Sequence, residues 1–397
     1  MPMDLRDLEV VVPQSDDVAA LEAVLDPALH FPAGTTRNWI ATLGLENFRA
    51  VRRDGRIVAG LCLVRMGQWF GGGRVPLVGL SAVGVAPELR GAGVGSLLMR
   101  RIVEEVRAEG ISLAALYPSS LRFYRRAGFE RAGQRLTYEL PLEAIDVDDR
   151  SRDLVPVAEG PSEELQRAYE RRARHAAGNL DRPAWMWARF EPKDRPVHRF
   201  LIAHGSTVEG YVIFAQGGRS DPLMVLDSCI LTPEAGRRAL GLFAGYRSVV
   251  EHMTWSGGPL DPLVYLLGEQ LTAGARNTIK VARALDWVLR IVDLAGALAA
   301  RGYPPGLSAE LHFEVRDELL PANAGRVVLR VEGGRGEVAS GGAGRIRLHV
   351  RDLAAIYTGF MAPHECAYLG TIQAPEDDLA LAGAVFGGPR PWIADMF

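Results

Sequence analysis

Val83-Gly84-Val85-Ala86-Pro87-Glu88-Leu89-Arg90-Gly91-Ala92-Gly93-Val94-Gly95-Ser96 joins an apolar, strand-like run to the start of an amphipathic helix. The apolar positions Val94, Leu97, Leu98, Ile102 and Val106 recur at helical spacing, so a helix is predicted over 94–109 with Gly110 ending it. A helix N-terminus carries unpaired N–H groups and partial positive charge, and therefore binds anions, phosphate in particular. Gly91, Gly93 and Gly95 let the backbone approach such an anion with no Cβ in the way. Arg90 adds a cation with several donors. A dinucleotide fingerprint requires G-x-G-x-x-G, whereas this loop reads G-x-G-x-G-S. A P-loop requires Gly-Lys-Ser/Thr, which is absent. The competing reading is a plain strand-to-helix turn whose glycines serve packing.

Working outward, strands are expected over 8–12, 49–53 and 56–64, the last two joined at Asp54-Gly55, a hairpin signal. A helix with Ser15 or Asp16 as N-cap follows the first strand. Gly71-Gly72-Gly73 marks a turn, and a strand over 78–85 leads into the glycine loop. Beyond the helix come a strand over 111–116, a short helix over 119–126 stopped by Gly128, and a strand over 135–140. The polar, acidic stretch 141–152 reads as a linker. In the central region helices are expected over 163–176 and 183–190, and strands over 200–203, 208–214 and 224–231. There the order of strand, Pro233-Glu234 and a helix over 237–252 repeats that of strand, Pro87-Glu88 and helix, without the glycines. This reads as an internal duplication whose second copy has lost its loop, or as coincidence, the match being short. The last region begins near Leu285: a strand-like run 287–293 leads into a helix ending at Ala300, then come strands over 312–316, 326–331 and 345–350 and a helix over 352–359.

The chain has 397 residues, too many for one ordinary core, and two or three domains are expected. Its net charge of −3 gives no electrostatic argument for nucleic acid. Cys62, Cys229 and Cys366 lie far apart and form no CxxC pair, which argues against a disulfide framework and a zinc site; His364-Glu365 lacks the second histidine of a zinc helix. No metal is expected. Neither a signal-peptide core nor an apolar run of membrane length appears, so a cytoplasmic protein that does not engage a membrane is expected.

Arg90-x-x-Gly93-x-Gly95 after a strand resembles the acetyl-CoA motif of the GNAT superfamily of N-acetyltransferases. Phe123-Tyr124-Arg125-Arg126-Ala127-Gly128-Phe129 resembles the family's second signature, an aromatic-rich short helix beside the cofactor thiol. The segment Trp69-Phe70-Gly71-Gly72-Gly73-Arg74-Val75-Pro76, the overall length, the three-part organisation and the terminal aromatic Phe397 are similar to the enhanced intracellular survival (Eis) branch. The resemblance implies an α/β (α+β) architecture. It has an acetyltransferase fold in 1–144, a degenerate copy in 145–284, and a sterol-carrier-protein-like α+β domain in 285–397 whose end returns to the active site. It implies acetyl-CoA as co-substrate, aminoglycosides as the class of acceptor, and a homo-oligomer, a hexamer in that branch.

By resemblance the cofactor would be held by Ala82, Val83, Gly84, Val85, Arg90, Gly91, Ala92, Gly93, Val94, Gly95 and Ser96. Tyr124 would donate a proton to the departing thiolate, and the α-carboxylate of Phe397 would act as base. From the residues alone, a catalytic acid is the favoured reading of Tyr124 with a packing tyrosine as the alternative, and the tail reads equally as a docked apolar end. Trp39 lies where the branch places an aromatic wall, with His30 and Phe31 near it in sequence; core packing is the alternative for each. Asp26, Glu46 and Asp395 are candidates for holding a cationic amine. The branch has a glutamate directly before its terminal aromatic, where this chain has Met396. Two further readings stay open: acetylation of protein lysines or N-termini, and a non-catalytic protein that binds an apolar ligand and senses acetyl-CoA.

Overall fold

Asp54 and Gly55 join the second and third strands of the first unit as a tight hairpin because both adopt positive φ (49° and 78°), the twist that suits two antiparallel strands. The computed structural model describes residues 5–160, 162–192, 194–218, 221–270 and 279–397. The first unit runs β1 (Leu8–Val11), α1 (Val18–Ala28), α2 (Thr35–Leu43), β2 (Phe48–Arg53), β3 (Arg56–Phe70), β4 (Gly73–Val85), α3 (Val94–Ala108), β5 (Leu113–Leu116), α4 (Leu121–Arg126) and β6 (Glu130–Pro141). The second runs β7 (Asp153–Pro156), α5 (Glu163–His175), β8 (Leu180–Asp181), α6 (Ala184–Ala188), β9 (Val197–His204), β10 (Thr207–Ala215), β11 (Leu223–Ile230), α7 (Pro233–Ala244), β12 (His252–Gly257), α8 (Pro262–Tyr265) and β13 (Lys280–Ile291). The third holds α9 (Leu294–Ala300), β14 (Ala309–Arg316), β15 (Gly325–Glu332), β16 (Arg335–Ser340), β17 (Ile346–His349), α10 (Val350–Thr358), α11 (Pro363–Tyr368), β18 (Ile372–Gln373) and α12 (Glu376–Phe386).

The first two units share one sheet, ordered β1-β2-β3-β4-β5-β13-β6-β12-β11-β10-β9-β7, with β8 paired to β3. Strand β13 enters between β5 and β6, pairing Val288 with Leu116 and Leu289 with Glu130, so it runs through position 284/285 inside the shared sheet. The third unit has its own sheet, β16-β15-β14-β17-β18. Its core, including Phe313, Tyr357 and Phe386, is continuous with that under β3 and β4. Gly71, Gly73 and Gly302 make the join: a Cβ on Gly71 would lie 2.2 Å from the Gly302 carbonyl oxygen, so only glycine permits this backbone approach.

Several expected elements change in extent. The helix over 237–252 ends at Ala244, and His252 opens β12 instead, because Met253 and Trp255 alternate inward while Thr254 and Ser256 do not. The expected strand over 345–350 stops at His349, whose imidazole accepts the Arg351 N–H and so caps α10. The strand expected over 56–64 continues to Phe70, pairing with β4 from Ala59 to Phe70. The polar stretch 141–152 is more than a linker: Leu142 and Ile145 are buried in the core of the second unit. No helix among the described residues is long and apolar enough to cross a membrane.

Candidate active site

Strand β4 is interrupted at the point where the glycine loop approaches. Gly60 pairs with Gly84 and Cys62 with Ser81, leaving Ala82 and Val83 opposite Leu61 alone. This is a β-bulge, and Ala82 takes φ +52° to make it, a conformation that costs a non-glycine residue about 1–2 kcal/mol. On its other edge β4 pairs in parallel with β5 through Leu77–Leu113, Val78–Ala114 and Gly79–Ala115, and there the ladder ends. Leu116 continues the pairing of β5 with β13, opposite Val288, but has no partner on β4. From Leu80 onward the two strands therefore part. The backbone groups of 80–85 that face the gap are open to an extended ligand.

Above the gap stands the N-terminus of α3. Gly93 occupies the N-cap at φ +94° and offers no side-chain acceptor. The amides of Val94, Gly95 and Ser96 have no intrahelical acceptor by virtue of their position. Gly91, at φ +81°, has open space where a Cβ would stand. Arg90 is exposed and donates from Nη2 to the Ala28 carbonyl at 3.0 Å. The corresponding end of α7 is closed: Thr232 Oγ1 accepts the Ala235 N–H at 3.1 Å, and Pro233 occupies the first turn. The two copies thus differ in chemistry at the same place, one an unsatisfied anion cradle and the other capped by its own chain.

The second aromatic segment lies against this loop. A Cβ on Gly95 would meet Phe123 Cζ at 3.2 Å. Tyr124 is buried in the same cluster as Leu80 and Leu116, with its ring edge-on to Phe123 and Phe129. Burial pushes its phenol up to about 12, against a smaller opposing effect of a hydrogen bond with Ser119, so it is a protonated donor at neutral pH.

Phe397 arrives on the opposite face. Its ring is 7% exposed and packs with Tyr117 at 5.8 Å between centroids. Gly79 makes room for it, since a Cβ there would sit 2.4 Å from Phe397 Cδ2 and from Met66 Cε. Tyr124 and Phe397 therefore flank the parting of β4 and β5 from its two sides. Three successive tail carbonyls accept hydrogen bonds: Ala394 from Arg135 (3.0 Å), Asp395 from Tyr117 (2.8 Å) and Met396 from Arg189.

The remaining sequence candidates separate. Trp39 is half-buried and packs against the cluster that contains Phe397. Phe31 is 37% exposed, and His30 is exposed at φ +56°. Asp26 is buried with both oxygens occupied: Oδ2 accepts the Gly34 N–H, and Oδ1 accepts the Thr36 N–H and hydroxyl. It closes the 29–35 loop, with three of its acceptor positions taken by the chain itself. Asp395 is buried between Arg182 and Arg189, each at 3.0 Å, so its charge is already neutralised. Glu46 is exposed beside Gly44. Sequence reasoning missed Tyr117, Arg135, Arg182 and Arg189. Only Tyr117, an aromatic directly after β5 and seven residues before Tyr124, carried a local signal.

With this geometry in hand, residues 13–132 and 178–291 each match a model described as an acetyltransferase (GNAT) domain, and residues 294–394 match a sterol carrier protein domain. The structure superposes on a GCN5-related N-acetyltransferase from Anabaena variabilis with a TM-score of 0.93 at 33% identity, covering 98% of this chain and 100% of that one. It superposes on Eis1 from Mycobacterium abscessus with a TM-score of 0.79 at 25% identity, covering 98% and 100%. Among sequence relatives, N-acetyltransferase Eis of Mycobacterium tuberculosis is 28% identical over 313 residues, 72% of this chain and 71% of that one. An uncharacterised N-acetyltransferase of Streptomyces coelicolor is 28% identical over 348 residues, 82% of each.

Proposed function

This chain belongs to the GCN5-related N-acetyltransferases of Eis type, which use acetyl-CoA as co-substrate, and on that premise we propose that its first unit acetylates amines of multi-amine small molecules, aminoglycosides among them. One observation supports the placement most: β4 and β5 part at Gly79 beneath the uncapped N-terminus of α3, with Tyr124 on one face and Phe397 on the other. The gap suits an extended pantetheine arm, and the amides of Gly91, Gly93, Val94, Gly95 and Ser96 suit its pyrophosphate, the Ala92 N–H being donated to the Leu89 carbonyl at 3.2 Å.

In this reading the α-carboxylate of Phe397 takes a proton from the ammonium of the acceptor. The freed nitrogen forms a bond to the thioester carbonyl carbon. The Val83 N–H in the bulge, with its neighbours, holds the developing oxyanion. The carbon–sulfur bond then breaks, and Tyr124 gives its proton to the thiolate. A phenol raised to about 12 by burial stays protonated at neutral pH and so is available as the donor. Trp39 offers the acceptor an aromatic wall. The three buried, free cysteines fit a reducing compartment, and we place the protein in the cytoplasm. A homo-oligomer completes the reading; Tyr368, 91% exposed, and Leu369 are residues that a subunit interface would cover.

The test is thiol release from acetyl-CoA with a panel of amines that includes an aminoglycoside and a lysine peptide, on the native chain and on one extended beyond Phe397. Turnover with the aminoglycoside that is lost on extension, with acetyl-CoA affinity intact, is expected. Turnover on the peptide alone would replace the acceptor class, and an extended chain of undiminished rate would remove Phe397 from the chemistry.

A further inference from the structure

The second unit has closed its own anion cradle, yet it carries a fully buried cation that reaches the tail. Arg182 follows β8, and β8 pairs with β3 through Asp181–Gly67 and Leu180–Gln68. The backbone bearing Arg182 is thereby locked to the hairpin that contains β4. Its guanidinium holds Asp227 of β11 with Nη1 at 2.6 Å and Nη2 at 3.1 Å, and both oxygens of Asp395 with Nε at 3.0 and 3.1 Å. Tyr211 donates its hydroxyl to Asp227 at 2.5 Å. Tyr169, Trp187 and Phe190 surround the guanidinium at 3.8, 4.9 and 4.9 Å from their ring centres, excluding water. Arg189, stacked on Trp185, adds a second cation on Asp395 and also donates to the Met396 carbonyl. Two guanidiniums thus face two carboxylates in one buried cluster, and one of those carboxylates stands two residues before Phe397.

We propose that Arg182, with Arg189 and Asp227, is a positioning group for catalysis: the degenerate unit clamps Asp395 and so holds the Phe397 α-carboxylate in register with the gap between β4 and β5. This rests on the reading of Phe397 as the base. The register follows from geometry. A tail free to slide by one residue would reverse the face on which the final ring lands, whereas Asp395, held by Arg182 Nε and Arg189 Nη2 together, fixes one register. It also gives the loss of the second cofactor loop a consequence, since that unit retains a task in the first unit's reaction. A displacement of about 1 Å in a reacting group costs on the order of 10²-fold in rate.

The experiment compares Asp395→Asn and the milder Arg189→Gln, each in the native chain and in the chain extended beyond Phe397, reading kcat with the best amine of the panel, the acetyl-CoA Kd and thermal stability. Expected is a fall in kcat of about 10²-fold for Asp395→Asn and about 10-fold for Arg189→Gln, with the Kd within about 3-fold. On the extended chain neither variant should lower the residual rate further. If either lowers it by the same factor there, or weakens acetyl-CoA binding in proportion to kcat, the cluster is structural only and this proposal falls while the base reading stands. If extension itself leaves kcat unchanged, the base reading falls and takes the positioning role with it. Should Asp395→Asn fail to fold, Arg189→Gln, whose guanidinium is one-third exposed, carries the same comparison.

Discussion

Replacing Gly79 by alanine is a sharp probe of how the tail meets the cofactor strand. The added Cβ would stand 2.4 Å from Phe397 Cδ2, 2.7 Å from Cε2 and 2.4 Å from Met66 Cε. Carbon atoms pack at about 3.5–4.0 Å, so both neighbours must retreat by more than an ångström. Met66 has a flexible end and yields cheaply. The Phe397 ring is held between Tyr117 and the strand and cannot move without shifting the tail. Overpacking of this kind costs about 1–3 kcal/mol. Stability would be measured by denaturant unfolding of Gly79→Ala, Phe397→Ala and the double variant. If the clash is with the ring, removing the ring should recover at least about 1 kcal/mol of the Gly79→Ala loss, the size expected for side chains in direct contact. The rate should fall by about 10²-fold in Gly79→Ala, since the ring and its carboxylate move together. Equal destabilisation by Gly79→Ala with and without the ring would refute the packing of Phe397 on β4, and with it the placement of the tail.

Tyr124→Phe should lower kcat by about 10²–10⁴-fold with acetyl-CoA affinity unchanged, measured by thiol release and titration calorimetry. Because burial raises the folded-state pKa of Tyr124 to about 12, the native state retains its proton where the unfolded chain would lose it. The resulting stability is complete below pH 10 and is lost as pH rises from 10 toward 12, so the alkaline unfolding of Tyr124→Phe should show a shallower pH dependence there. Gly93→Ala places a Cβ at φ +94° and should weaken acetyl-CoA binding by about 10-fold, from a strain of about 1–2 kcal/mol at the mouth of the cradle. Thr232→Ala should cost about 1 kcal/mol of stability through the lost cap while leaving the acetyl-CoA Kd unaltered, because that helix end is capped by its own chain.

The parts that were legible in the sequence are those whose causes are local. The glycine loop was readable because Gly91 and Gly93 do take positive φ and Val94 does open a helix. The turns at Gly55 and Gly110 were readable for the same reason. Strand ends were less so: β3 reads to Val64 by pattern yet continues to Phe70, because β4 and β8 supply partners that only the tertiary fold brings. Asp26 reads as an acid in search of a cation, but its partners are backbone and hydroxyl donors eight and ten residues away. Asp395 misleads in the same way, since the guanidiniums that neutralise it lie 213 and 206 residues earlier in the chain. Nothing in the local pattern around Arg182 separates a buried clamp from an ordinary surface arginine.

The central claim is that the chain carries one working acetyl-CoA site, on the first unit, and that the second unit's corresponding helix end is closed. Titration calorimetry of acetyl-CoA against the purified chain tests this most directly. The account predicts one molecule bound per chain, weakened by Gly93→Ala and indifferent to Thr232→Ala. Two molecules per chain, or binding that survives Gly93→Ala and fails in Thr232→Ala, would contradict it.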